Sequence, residues 1–264
     1  MSAKEKRARA KQRRREEAQR QAELSREQER RARRRRAVTM GFAGVAVLVL
    51  VAIVTVVVQR LGTPDEGPTP RGAVVGGTAL AVGKRSAPVT LTVYEDFRCP
   101  ACGSFEQRFG PTVDELVDDG SLRVEYHVAT IIDAPFRGSG SKVAGNAAAC
   151  AQDTGKFRPY HARLFGHQPP ESEDGFTEER VIELARGVPG LVDADFRSCV
   201  RDERYRPWLE RVQAEFDDRF DRAGAPTALL DGKVVLGGSD GTLAKSMKTP
   251  QALEREVTNR AERS

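Results

Sequence analysis

Two cysteines separated by two residues, Cys99 and Cys102 in "YEDFRCPACGSFEQRFG" (residues 94–110), are the part of this sequence best suited to chemistry. The spacing suits half of a zinc site, a local staple, or a dithiol that exchanges electrons with other proteins. The other two cysteines, Cys150 and Cys199, stand apart, and so do the three histidines, His127, His161 and His167. A Cys/His zinc site therefore has no second half, and no metal is expected. Neither a phosphate-cradling glycine loop nor a Ser/His/Asp arrangement occurs, so no cofactor is implied. Redox exchange asks for one sulfur exposed as a thiolate and a second within bonding reach. Cys99 stands where a helix should begin, with Pro100 suited to its first turn. Unpaired amides and the macrodipole at that end favour a thiolate, the form that attacks disulfides. Cys99 is thus the candidate nucleophile and attacked sulfur, and Cys102, one turn further in, the resolving thiol.

The elements that must position this pair are legible around it. "APVTLTVYEDF" (residues 87–97) alternates and is rich in β-branched residues, predicting a strand. Phe105 and Phe109 recur at helical spacing, Gly110-Pro111 should break or kink the helix, and Val113, Leu116 and Val117 continue its apolar stripe to Gly120. Residues 121–130 alternate again, giving a βαβ unit with a parallel strand pair. Residues 139–222 carry the spacing of three to five helices. Then "APTALLDGKVVLGG" predicts two strands joined by an Asp231-Gly232 turn. A last helix is capped by Thr249, opened by Pro250, and turns Leu253 and Val257 inward. Glu95 and Asp96 read as solvated residues at a strand end. His127, on a strand, and His161, on a helix, suit core packing or a capping hydrogen bond, and His167 falls in a loop. Cys150 and Cys199 lie on separate helices of the insert. As a structural disulfide they would close a loop worth about 4 kcal/mol in the chain-entropy model; the alternatives are a second redox pair or two free thiols.

The compartment decides which chemistry is open to the cysteines. Residues 1–36 hold 16 Lys/Arg against 6 Asp/Glu, leaving 27 basic and 32 acidic residues for the remainder. The overall charge of +5 is thus a property of the tail. From Ala37 to Gln59 no residue is charged, a length that matches the ~20 residues needed to span a bilayer as a helix. A cleavable signal peptide has a shorter apolar core and a small-residue cleavage site, which "VVVQRLGTPDEG" does not offer. The flank "RRARRRR" (residues 30–36) places the N-terminus in the cytoplasm and residues 60–264 outside. Topology and anionic lipid already account for the basic tail, which has no aromatic residue for base stacking, so no nucleic acid is expected. Residues 60–76, rich in Pro and Gly, read as a spacer. All four cysteines fall in the exported part, where disulfides form.

Three features in order, "YEDFRCPAC" at a strand end, "NAAACAQDTGKFRPYHARLF" in the insert and "GAPT" before the last hairpin, resemble the DsbA-like thiol–disulfide oxidoreductases, most of all the membrane-tethered actinobacterial type. The resemblance covers roughly residues 77–264. It implies an α/β class, a thioredoxin-like fold with a helical insertion domain over about 136–222, preceded here by a single transmembrane helix at 37–59. It further implies that Ala225-Pro226 is a cis bond facing the cysteines, with the backbone of Ala225 offered to a substrate peptide. The partners implied are reduced or unfolded exported proteins and a membrane reoxidant, VKOR-like or DsbB-like. Isomerases of this kind usually dimerise through an extra domain, which is absent here and speaks against that activity; a monomer is expected. Two departures stand out. Ala101 replaces the histidine that some members place between the cysteines, implying a milder oxidant. Val93 stands where related proteins often carry a carboxylate, six residues before the first cysteine. The alternatives are a reductase or isomerase of the same fold, and a redox-inactive peptide-binding or chaperone module.

Overall fold

The computed structural model describes residues 67–221, 224–238 and 240–263. The basic tail, the apolar run 37–59 and the first part of the spacer lie outside the described residues. Among the described residues no helix is long and apolar enough to cross a membrane.

The strands are β1 (Leu80–Val82), β2 (Val89–Glu95), β3 (Leu122–Val128), β4 (Thr227–Leu230), β5 (Lys233–Gly237) and β6 (Thr242–Leu243). They form one mixed sheet in the order β1-β3-β2-β4-β5-β6. At its centre β2 runs parallel to β3, Val89 opposite Leu122 through Glu95 opposite Val128. A crossover helix, α1 (Pro100–Asp119), joins them, as the alternating and helical periods require. On the other side of β2, β4 runs antiparallel with Tyr94 opposite Thr227. The short strands β1 and β6 carry too few residues for a period to show in the sequence.

Helix α1 does not break at Pro111. It runs unbroken to Gly120, which closes it at φ 89°. A proline inside a helix removes one backbone bond, but Cys102, Phe105, Phe109, Val113, Leu116 and Val117 are all buried on one face. That continuous burial holds both halves to the sheet.

Five helices lie between β3 and β4: α2 (Gly140–Asp153), α3 (Phe157–Gly166), α4 (Glu178–Ala185), α5 (Ala194–Arg201) and α6 (Arg206–Phe220). The alanine-rich α2 is their common neighbour, and its small side chains let the others approach. At Gly145 an added Cβ would lie 2.8 Å from Leu209 Cδ2 and 3.1 Å from Val128 Cγ1. Cys150 of α2 and Cys199 of α5 form a disulfide, 49 residues apart in sequence. Beside it the buried Asn146 donates to the carbonyls of Cys199 and Val200 and accepts from the Tyr205 amide. Residues 67–76 of the expected spacer touch this layer. The Arg71 amide donates to Asp153 (2.9 Å), and Trp208 Nε1 donates to the Gly77 carbonyl. The chain closes with α7 (Pro250–Ala261), whose Thr249 Oγ1 accepts from the Ala252 amide while Leu253 and Val257 are buried.

The helical layer is tied to the sheet at the end of β2 by buried charge. Arg98, 1% exposed, pairs with Asp133 at 2.8 Å and with Asp174 at 3.3 Å. It also donates to the carbonyls of Glu171 and Glu173. The same two carboxylates accept from the first amides of α2: Asp133 from Ser141 and Lys142, Asp174 from Ser139 and Gly140. Ser139, at the N-cap position, makes no side-chain cap bond. The orphan donors of α2 are therefore satisfied from outside the helix.

Two stability outcomes follow from these ties. Cys150→Ala/Cys199→Ala should lower the unfolding free energy by about 4 kcal/mol in chemical denaturation at a matched Cys99/Cys102 redox state; no change would mean the insert is rigid without the bridge. Arg98→Ala leaves Asp133 buried and should cost about 3 kcal/mol. A loss no larger than that of an exposed pair, about 1 kcal/mol or less, would show that the α2 amides satisfy Asp133 alone.

Candidate active site

The site is assembled where β2 gives way to α1. After Glu95 the chain turns through Asp96, Phe97 and Arg98, held by the buried Asp96 carboxylate. It accepts from the amides of Arg98 (2.8 Å) and Ile132 (2.9 Å) and from Ser141 Oγ (2.7 Å). Burial pushes this acid up to about 6, against the pull of those three donors. The turn delivers Cys99 to the N-cap of α1, with extended backbone and no side-chain cap bond. Gln168, from the loop after α3, donates Nε2 to the carbonyls of Phe97 and Cys99, both at 2.8 Å.

The two sulfurs are unbonded here and sit in unlike surroundings. Cys99 is 6% exposed and Cys102 is fully buried. The Cys99 thiol is held below its ordinary range, chiefly by a hydrogen bond from Cys102. The backbone amides of Cys102 and Ala101 add to this, while burial opposes it. Cys102 is pushed well above the ordinary range by burial first, then by Cys99 and more weakly by Glu95. The first sulfur is thus the more readily ionised of the two and the second the more readily protonated.

Opposite the cysteines lies the turn before β4. The Ala225–Pro226 peptide is cis, and the Ala225 carbonyl lies 3.3 Å from Cys99 Sγ. The Tyr94–Thr227 register sets this meeting, because β2 and β4 both run into it. A shallow, mostly apolar groove of about 390 Å³ continues from there, lined by Ala101, Phe105, Pro226, Leu236, Leu243 and Met247 among others. A larger cavity of about 700 Å³, lined by Thr130, Asp133, Lys142, Glu210 and Gln213 among others, includes neither cysteine and no part of this turn.

The structure therefore brings Cys99, Cys102, Ala225 and Pro226 together, and keeps Cys150–Cys199 in the helical layer. It corrects the reading of Glu95 and Asp96 as solvated: both are completely buried. Alternation alone could not show this, because helices of the insert cover the strand end. Glu95 Oε1 lies 2.5 Å from His161 Nε2. Rings of Phe97, Tyr126, Phe157 and Phe165 surround that imidazole, and burial holds its pKa down. Glu106, on the inner side of α1, is raised to about 8 by burial and by Glu95. Val93, two residues before Glu95 on the same strand face, is buried and apolar. Sequence reasoning missed Arg98, Glu106 and Gln168. Only the i, i+7 spacing of Cys99 and Glu106 on one helix could have hinted at the second of these.

A family model described as thioredoxin matches residues 76–253. The disulfide bond formation protein D of Bacillus subtilis is 23% identical over 162 residues, covering 60% of this chain and 70% of that protein. Among solved structures, reduced DsbA from Mycobacterium tuberculosis is 29% identical with a TM-score of 0.58, covering 69% of this chain and 92% of that one. The reduced disulfide bond oxidoreductase DsbG of the same organism is 30% identical with a TM-score of 0.58, covering 71% and 89%. Architecture, cysteine geometry and these likenesses agree: the chain belongs to the thioredoxin family and is a DsbA-like protein thiol–disulfide oxidoreductase.

Proposed function

We propose that this protein is an oxidase that introduces disulfides into exported proteins through the Cys99–Cys102 pair, working from a membrane anchor at residues 37–59 with residues 60–264 outside the cytoplasm. The observation that carries the direction is the split between the two sulfurs. Cys99 is held below the ordinary thiol range while Cys102 is held above it. A stabilised thiolate is a good leaving group, and stabilising the reduced form makes the disulfide a stronger oxidant. The names of the bacillar relatives, disulfide bond formation protein D, support the same direction.

The reaction starts from the Cys99–Cys102 disulfide. A client thiolate attacks Cys99 Sγ, the less buried sulfur, and the S–S electrons leave on Cys102, which takes up a proton. The client is now joined to Cys99. Its chain, laid along the groove by Phe105, Pro226 and Leu243, can pair with the backbone at Ala225. A second client thiolate attacks the client sulfur of the mixed disulfide and expels Cys99 as a thiolate, which the amides of Ala101 and Cys102 stabilise. The client has lost two electrons and the enzyme has gained them. A VKOR-like or DsbB-like membrane protein must take those two electrons to restore the disulfide. Clients and reoxidant each meet a single chain, in keeping with a monomer.

Two outcomes test this reading. The reduced protein should react with iodoacetamide at Cys99 at a lower pH than an unstructured cysteine does. The depressed Cys99 pKa keeps the thiolate populated as pH falls, whereas Cys102 should stay unlabelled in the folded state; equal labelling of both would overturn the assignment. In the second test, the oxidised protein should form disulfides in a reduced, unfolded client, and Cys102→Ser preloaded with glutathione as a disulfide at Cys99 should exchange that glutathione, released as its thiol, for a client thiol and accumulate a mixed disulfide visible on a non-reducing gel. Activity confined to the reduced protein acting on a scrambled client would mean an isomerase instead.

A further inference from the structure

Glu95, Glu106 and His161 form a compact group that the disulfide chemistry does not use. One ligand atom from each can be chosen so that all three lie within 4.8 Å of one another. Glu95 is completely buried, and among the described residues no N–H or hydroxyl donates to its Oε2. Its neighbour on that side is Glu106, itself a carboxyl, so only a shared proton or a cation can hold the two acids together. Such a pair, walled by aromatic rings, is costly unless compensated. The group is also reachable. A cavity of about 350 Å³ between α1 and α3, lined by Glu106, Asp114, Tyr126, Arg158 and His161 among others, leads to it. Arg158 does not supply the missing charge, because it is engaged by Asp114 (2.7 Å) and Asp118 (2.5 Å).

We propose that Glu95, Glu106 and His161 bind one divalent transition-metal ion of zinc's size, entering from the cavity between α1 and α3. The donor set is one imidazole nitrogen and two carboxylate oxygens, with the cavity side open for water. Three protein ligands and an open position are a common arrangement for zinc. Imidazole selects against calcium and magnesium, which take six or more oxygens. Ligand atoms around a tetrahedral ion with bonds of about 2.1 Å lie about 3.4 Å apart. The three atoms, which lie within 4.8 Å of one another, must draw in to that spacing, and the His161–Glu95 contact must open as the ion replaces it. The expectation of no metal weighed only cysteine and histidine ligands, and these carboxylates come together only when α1 and α3 pack on the end of β2.

The test titrates the oxidised full-length chain with Zn²⁺ by calorimetry, so that Cys99 and Cys102 offer no thiolate. One ion per chain should bind, and Glu95→Gln and His161→Ala should each weaken binding at least tenfold. Should these buried substitutions prevent folding, Glu106→Gln, at a half-buried position, provides the same comparison. Co²⁺ in place of Zn²⁺ should give visible d–d bands with no thiolate charge-transfer band. Absence of binding by the folded oxidised chain would leave a proton-sharing acid pair and overturn the proposal. Equal affinity of wild type and Glu106→Gln, or a thiolate band, would overturn it as well.

Discussion

The antiparallel pairing of Tyr94 with Thr227 carries the site, because both strands run directly into it. β2 continues through three residues to Cys99, and β4 is preceded directly by Ala225 and Pro226. With that register set, Cys99 Sγ and the Ala225 carbonyl meet at 3.3 Å without any long side chain spanning the gap. A slip of one residue would turn each strand's side chains to the opposite face. The sheet centre therefore defines the geometry, and the loops beside it only refine it. The Asp231-Gly232 turn helps by pinning the other end of β4. Asp231 and Gly232 both take positive φ, and the Asp231 carboxylate accepts from the Thr90 amide at 2.9 Å.

The helical layer meets this centre through charge. Arg98 sits one residue before Cys99, yet its guanidinium binds the carboxylates that cap α2. Asp96 reaches the same helix through Ser141. The turn that presents Cys99 is thus shared by both layers, and neither can shift without disturbing buried ion pairs. Such pairs add little net stability but are costly to break, which makes them better at holding one arrangement than at raising overall stability. The Cys150–Cys199 bridge does the complementary task inside the layer, closing a long loop.

One helix imposes two electrostatic outcomes on two sulfurs a single turn apart. At the N-cap, Cys99 collects amide donors and keeps a small window to solvent. One turn on, Cys102 is sealed against the core, with Glu95 close enough to add to its burdens. The fold places a group of ionisable side chains close by, where Glu106 of the same helix meets Glu95 and His161. The cysteine pair and the acid cluster therefore share α1 as their common support, and the apolar face of that helix holds both against the sheet.

Much of this was legible in the residues. The β2–α1–β3 unit followed from the alternation of Val89, Leu91 and Val93 and the helical return of Phe105 and Phe109, since those periods report one buried face each. The hairpin followed from Asp231-Gly232, and α7 from Thr249-Pro250. Strands β1 and β6 did not, because two or three residues carry no period. Pro111 misled, because local breaking loses to a helix face buried along its whole length. By itself the sequence determined which backbone segments form and which cysteine opens a helix, both decided by residues near in the chain. Only the tertiary structure decided that Glu95 and Asp96 are buried, that Arg98 binds the helical layer, that Ala225 faces Cys99, and that Glu95, Glu106 and His161 converge. Those outcomes depend on contacts between segments 11 to 126 residues apart, and burial and pKa are properties of the neighbours a residue acquires rather than of the residue itself.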